Sequence, residues 1–149
     1  MTDVSTDFNY VTYIRTTPAK LWEALTSADF MKHYWFGMAI ETDWKAGSPW
    51  RLMRGDGVVD SAGEIIEVVP EKKYVLTWRH EANPEFTKEG FSRCRVEMEP
   101  AGAAIKLTIA HSIDRPASKL MGGVSFGWPL VASNLKSLLE TGAVAVTSF

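Results

Sequence analysis

A single cysteine, Cys94, stands in the whole sequence. No internal disulfide can form, and the chain suits a reducing cytosol. Neither sign of charge dominates: 16 Lys and Arg stand against 18 Asp and Glu, a net charge of −2. That leaves no electrostatic footprint for nucleic acid or an anionic membrane surface. No segment approaches the roughly 20 apolar residues needed to span a bilayer. The opening MTDVSTDFNY has no apolar run of signal-peptide length. The expectation is a cytoplasmic protein without membrane insertion. Repeats, linkers and low-complexity tracts are lacking too. At 149 residues the chain reads as one domain over residues 1–149, long enough to bury a real core.

What is present is globular: 46% apolar and 23% charged residues, with six tryptophans spread along the chain. The organising stretch is residues 116–142, PASKLMGGVSFGWPLVASNLKSLLETG. After Gly122-Gly123, apolar residues recur at Val124, Trp128, Val131, Leu135, Leu138 and Leu139. This is one stripe of an amphipathic helix. Ser133, Asn134, Lys136 and Glu140 make the opposite, polar side, and Gly142 supplies a left-handed cap. Pro129 predicts a start or kink near Gly127-Trp128.

The rest of the chain offers that stripe a sheet. Phe8–Thr16 is a strand rich in aromatic and β-branched residues. Thr17-Pro18 opens a helix over AKLWEALT, and Ser27 caps a second over ADFMKHY. From Met38 the period becomes two, with strands expected at Ala39–Thr42, Ser48–Arg54, Gly57–Val69, Lys72–His80, Ser92–Glu99 and Ala103–Ser112. Tight turns between them make an antiparallel meander. Ser61-Ala62-Gly63 suggests a bulge in the long strand, and the polar stretch 81–90 a mobile rim loop. The predicted class is α+β: a seven-stranded curved antiparallel sheet around a long C-terminal helix, with two short helices after the first strand. Its concave face is too wide for backbone packing alone and needs side chains or a ligand.

Candidate site residues follow from inward parity. Tyr74, Leu76, Trp78 and His80 share one face; Ile105, Leu107, Ile109 and His111 share another. Trp35, Trp50, Trp78, His80, His111, Met121 and Trp128 are the candidate ligand-binding residues. The tryptophans either line a cavity or pack as core. His111 is either a histidine buried against a backbone carbonyl or a polar hook at the mouth, titrating near neutrality. Cys94 among apolar neighbours reads as structural. Of the carboxylates on the bent strand, Asp60, Glu64 and Glu67, at most one of the two glutamates faces inward, and solvent exposure is expected. The three histidines lack metal-ligand spacing, so neither a metal nor another cofactor is expected, and no catalytic constellation stands out.

Four stretches carry a resemblance: Ile14–Thr26, Tyr34-Trp35-Phe36-Gly37, Gly63–Trp78 and Gly127–Gly142. In their order and spacing the chain resembles the START/Bet v 1-like (SRPBCC) superfamily, and within it the Activator of Hsp90 ATPase homologue 1-like family. The resemblance implies the helix-grip fold and a cavity between helix and sheet. The wide concave face and the aromatic excess make a small hydrophobic molecule or lipid the expected partner. A co-chaperone-like or stress-response interaction module, with a chaperone partner, is the alternative. A cyclase- or hydrolase-type enzyme using His111 with an inward carboxylate is a third. Monomer and homodimer are both compatible with the exposed sheet edge.

Overall fold

The computed structural model describes residues 5–148. In chain order the elements are β1 (Thr6–Ile14), α1 (Pro18–Thr26), α2 (Ala28–Tyr34), β2 (Ala39–Glu41), β3 (Pro49–Met53), β4 (Val59–Val69), β5 (Lys73–His80), α3 (Pro84–Thr87), β6 (Ser92–Ala101), β7 (Ala104–Ile113) and α4 (Lys119–Thr141). The seven strands form one sheet in the order β1-β7-β6-β5-β4-β3-β2, with every pairing antiparallel. It is therefore a meander in which the first strand closes on the last. The concave face carries the expected alternation. Tyr74, Leu76, Trp78, Cys94, Val96, Met98, Ile105, Leu107 and Ile109 are all buried and pack under α4 as one core.

Local chemistry sets the helix ends. Thr17 accepts from the Lys20 amide ahead of Pro18, and Ser27 accepts from the Phe30 amide. Ser118 caps α4, and Gly142, at φ 85°, closes it with its amide on the Leu138 carbonyl. No helix among the described residues is long and apolar enough to cross a membrane.

Three expectations are corrected. The long helix does not start at Gly127-Trp128: it begins at Lys119 and runs 23 residues, through Gly122, Gly123 and Pro129. Proline removes one amide from the ladder, but packing of the flanking turns on the sheet sustains the helix. Asn134 is not on the polar side. It is buried, its Nδ2 donating to the carbonyls of Tyr34 (3.3 Å) and Val146 (2.7 Å), while its Oδ1 accepts from the Val146 amide (2.7 Å). One amide side chain thus fastens the C-terminal tail and the end of α2 to the helix.

Ser61-Ala62-Gly63, third, is not the bulge. Gly63 is required by close approach: a Cβ there would lie 1.9 Å from the Thr77 carbonyl oxygen and 2.8 Å from Trp50 Nε1. The register shifts flank it. One sits where Leu52 pairs Ser61 and Met53 pairs Val59, leaving Asp60 as the extra residue. The other sits between Ile65 and Glu67, leaving Ile66. Glu64 and Glu67 both face solvent.

Candidate functional site

Four tryptophans from separate elements form a column across the space between sheet and helix. Trp50 of β3 lies 4.7 Å from Trp78 of β5, Trp78 lies 5.9 Å from Trp128 of α4, and Trp128 lies 5.3 Å from Trp35, between ring centroids. These tilted and edge-on distances are favourable aromatic geometry. Trp50 anchors one end by donating Nε1–H to the Thr77 carbonyl at 2.9 Å. On one side of the column the gap is closed. Leu25, Tyr34, Tyr74, Val96, Leu107, Ile109, Ala132 and Leu135 leave only about 10 Å³. On the other side it stays open as a cavity of about 230 Å³ under the first half of α4.

The cavity's wall is largely apolar. Leu52 and Trp78 form the sheet side, Trp35 and Met38 of the connection between α2 and β2 a flank, Val124, Trp128 and Val131 the helix side, and Phe86 of α3 the outer edge. Phe86 packs edge-on to His80, with centroids 5.1 Å apart. Gly123 leaves room for that ring, since a Cβ there would lie 3.3 Å from it. The segment carrying α3 is tied down. Glu89 accepts from the Ser118 hydroxyl (2.5 Å) and the Lys119 amide (2.8 Å), and Glu85 pairs with Lys119 at 3.0 Å. An acidic side chain at a helix N-terminus complements the exposed amides and the dipole. Slight burial pushes the Glu89 carboxyl up, but the Ser118 hydroxyl and the amides of Lys119 and Leu120 outweigh it and hold the group low. The loop expected to be mobile therefore contains a short helix latched to α4.

One corner of the cavity is polar. The bulge turns Asp60 toward the wall beside Ser61 and His80, which face each other in the β4–β5 register. Arg54 holds Asp60 Oδ2 through two nitrogens, at 3.1 and 3.0 Å. The Ser61 hydroxyl donates to Asp60 Oδ1 at 2.9 Å. His80 Nδ1 accepts the Asn83 amide at 3.2 Å. Its Nε2 lies 3.7 Å from Asp60 Oδ1. Burial lowers the His80 pKa most; Asp60 and Glu81 pull it up, and Arg54 pulls it down.

His111 lies behind this wall, not at the mouth. It is 1% exposed, and its partners are side chains rather than a carbonyl. Trp128 Nε1, which can only donate, bonds Nδ1 at 3.3 Å. The ring proton is then on Nε2, which donates to Ser92 Oγ at 2.6 Å, and Ser92 donates to the Trp78 carbonyl at 3.1 Å. Burial drives the His111 pKa down to about 4. It is a neutral spacer that fixes Trp128, not a group titrating near neutrality. Burial likewise raises the Cys94 thiol pKa.

Of the seven predicted residues, Trp35, Trp78, His80 and Trp128 line the cavity. Trp50, His111 and Met121 do not. Trp50 supports Trp78 from behind, and Met121 packs with Ile113 and Leu120. Residues missed from the sequence include Ser61, Met38, Val124 and Phe86. Ser61 was not within reach: the register set by the β4–β5 turn pairs His80 with Ala62, and only the extra residue Ile66 moves Ser61 opposite it. Nor was Phe86, because no periodicity marks a four-residue helix.

A protein-family model described as Activator of Hsp90 ATPase homolog 1-like protein matches residues 15–140. The chain belongs to this family. Solved structures with the same architecture include a Mesorhizobium loti protein, MLL2253, with 25% identity, 91% of this chain and 97% of that one covered, and a TM-score of 0.77. The Aha1 dimer of Colwellia psychrerythraea has 20% identity, coverage of 92% and 98%, and a TM-score of 0.74. An Hsp90 activator of Plasmodium falciparum has 23% identity, coverage of 82% and 86%, and a TM-score of 0.65. The last two likenesses carry the fold alone. No curated protein matches the chain. This Hsp90-activator-like member thus has the helix-grip architecture expected from its sequence.

Proposed function

We propose that the protein binds a small hydrophobic molecule in the cavity between α4 and the sheet. The observation that carries this reading is the unequal filling beneath the helix: about 10 Å³ on one side of the tryptophan column and about 230 Å³ on the other. The larger space is a cleft with a mainly apolar wall, and water in it gains few partners from that wall, so an apolar occupant is favoured over solvent. The volume lies just below the usual range of roughly 300–1,000 Å³ for ligand pockets, so the occupant is of one or two rings or a short acyl chain. His111 has no part in it, being sealed behind Trp128 and without a carboxylate partner.

The test is titration of the purified protein with small aromatic and acyl ligands, read by tryptophan fluorescence. Trp35, Trp78 and Trp128 all report on the cavity. Val124→Trp, which fills the space from the helix side, is expected to weaken binding more than about tenfold with the melting temperature kept within a few degrees. Absence of binding across a broad lipid and aromatic library would refute the proposal. The second reading, a contact with a chaperone, draws on the family's description and on Phe126, which is 63% exposed on α4 beside the cavity. A pull-down with Hsp90 and an ATPase assay decide it: no capture and no stimulation discard it.

A further inference from the structure

Apolar walls account for entry of a hydrophobic molecule but not for the corner made by Asp60, Ser61 and His80. Its hydrogen-bond inventory is nearly complete. Asp60 Oδ2 is occupied by Arg54, and Oδ1 takes one hydroxyl, from Ser61. A carboxylate oxygen accepts more than one bond, so Oδ1 retains capacity on the side facing His80. Because His80 Nδ1 accepts the Asn83 amide, the ring proton of the neutral imidazole sits on Nε2. Nε2 and Oδ1 are 3.7 Å apart, too far for a direct hydrogen bond. An oxygen set to one side of the line joining them, on the face toward the cavity that both residues line, can lie about 2.8 Å from each. Such an oxygen must accept from Nε2–H and donate to Oδ1.

We propose that this corner is a hydroxyl-recognition subsite, and that the preferred occupant is an uncharged aromatic or alicyclic alcohol. Its ring lies against Trp78 and Trp128, and its O–H bridges His80 Nε2 and Asp60 Oδ1. The inference rests on the cavity reading above and sharpens it. Charge excludes the alternatives. Arg54 and Asp60 cancel, and His80 is neutral, so the corner offers no net charge to an ion. A carboxylate would press its lone pairs on Asp60 Oδ1, and an ammonium would face the His80 N–H. A plain hydrocarbon would leave both the N–H and the carboxylate lone pair without a partner, a penalty that hydroxyl-reading sites turn into selectivity.

The experiment compares 2-naphthol, naphthalene and 2-naphthoate on the unmodified protein at pH 7.5, by tryptophan quenching. Naphthol is expected to bind about tenfold more tightly than naphthalene, with naphthoate weakest. In Asp60→Ala and in His80→Leu the ratio of naphthol to naphthalene affinity is expected to fall close to one. Equal affinities for naphthol and naphthalene in the unmodified protein overturn the subsite while leaving the cavity reading intact. So does a preference that survives both substitutions. Failure of all three compounds to bind removes the cavity reading and the subsite together. Equal affinities in the unmodified protein refute the subsite without either variant, so loss of folding in a variant does not protect the idea.

Discussion

A histidine shut among apolar side chains ties its protonation to folding. His111 stays neutral in the native protein because burial pulls its pKa down to about 4, whereas in the unfolded chain it titrates at its ordinary 6.5. Between those values the unfolded chain binds the proton and the native one does not, so stability falls as pH drops from 6.5 and stops falling near 4. The loss by pH 4.5 is on the order of 2–3 kcal/mol. Charging the ring also requires Nδ1 to become a donor while it faces the Trp128 N–H, so acid breaks the contact that holds Trp128. The carboxyls of Glu85, Glu89 and Glu140 are held low and add acid sensitivity of the same sign. The comparison that isolates His111 is His111→Gln. Urea midpoints at pH 7 and pH 4.5 are expected to separate less in the variant than in the unmodified protein, although the variant starts less stable at pH 7. Equal separation would remove His111 from the acid response.

Two elements decide whether the cavity is open, the first half of α4 and the segment carrying α3, and they meet at Glu89. That carboxylate stands at the α4 N-terminus on the Ser118 hydroxyl and the Lys119 amide. Glu89→Ala is expected to cost about 1 kcal/mol, the usual value of a helix cap. Amides 81–90 should then exchange faster with deuterium, and ligand dissociation should speed up more than association. Unchanged exchange in that segment would show that Phe86 packing alone holds it. This is also the scale at which the sequence was most and least legible. The meander was readable because period-two patterning and turn residues agree. The first half of α4 was obscured by Gly122, Gly123 and Pro129, whose local preferences oppose a helix. Long-range partners absent from any local window override them: Glu89 at the cap and the sheet beneath. Asp60 was visible as a carboxylate on a bent strand, but one extra residue in β4 reverses the parity on which inward and outward assignments depend. His80 was placed correctly on its row because β5 carries the regular alternation, with no bulge of its own.

Across the whole molecule the tryptophan column is a partition. It divides the space between helix and sheet into a filled and an open compartment, and Trp35, Trp128 and Val131 belong to both walls. Trp128 is the member whose removal should join them, because it stands between Trp35 and Trp78, while Trp78 and Trp50 are braced from the sheet, Trp50 by the Thr77 carbonyl and Trp78 by Trp50. Trp128→Leu keeps an apolar side chain on α4 but withdraws the indole from between Trp35 and Trp78. It also leaves His111 Nδ1 without its donor. The loss of packing and the uncompensated nitrogen together are expected to cost about 3–5 kcal/mol, a large share of a domain's stability. In exchange the cavity should lengthen toward Leu107 and Ile109, the deeper compartment's floor. The affinity order in a graded series of alkylbenzenes is then expected to shift toward longer chains. A destabilised variant with an unchanged size optimum would mean that the deeper side chains collapse into the vacated volume. The partition would then be set by the sheet's own residues, not by the helix.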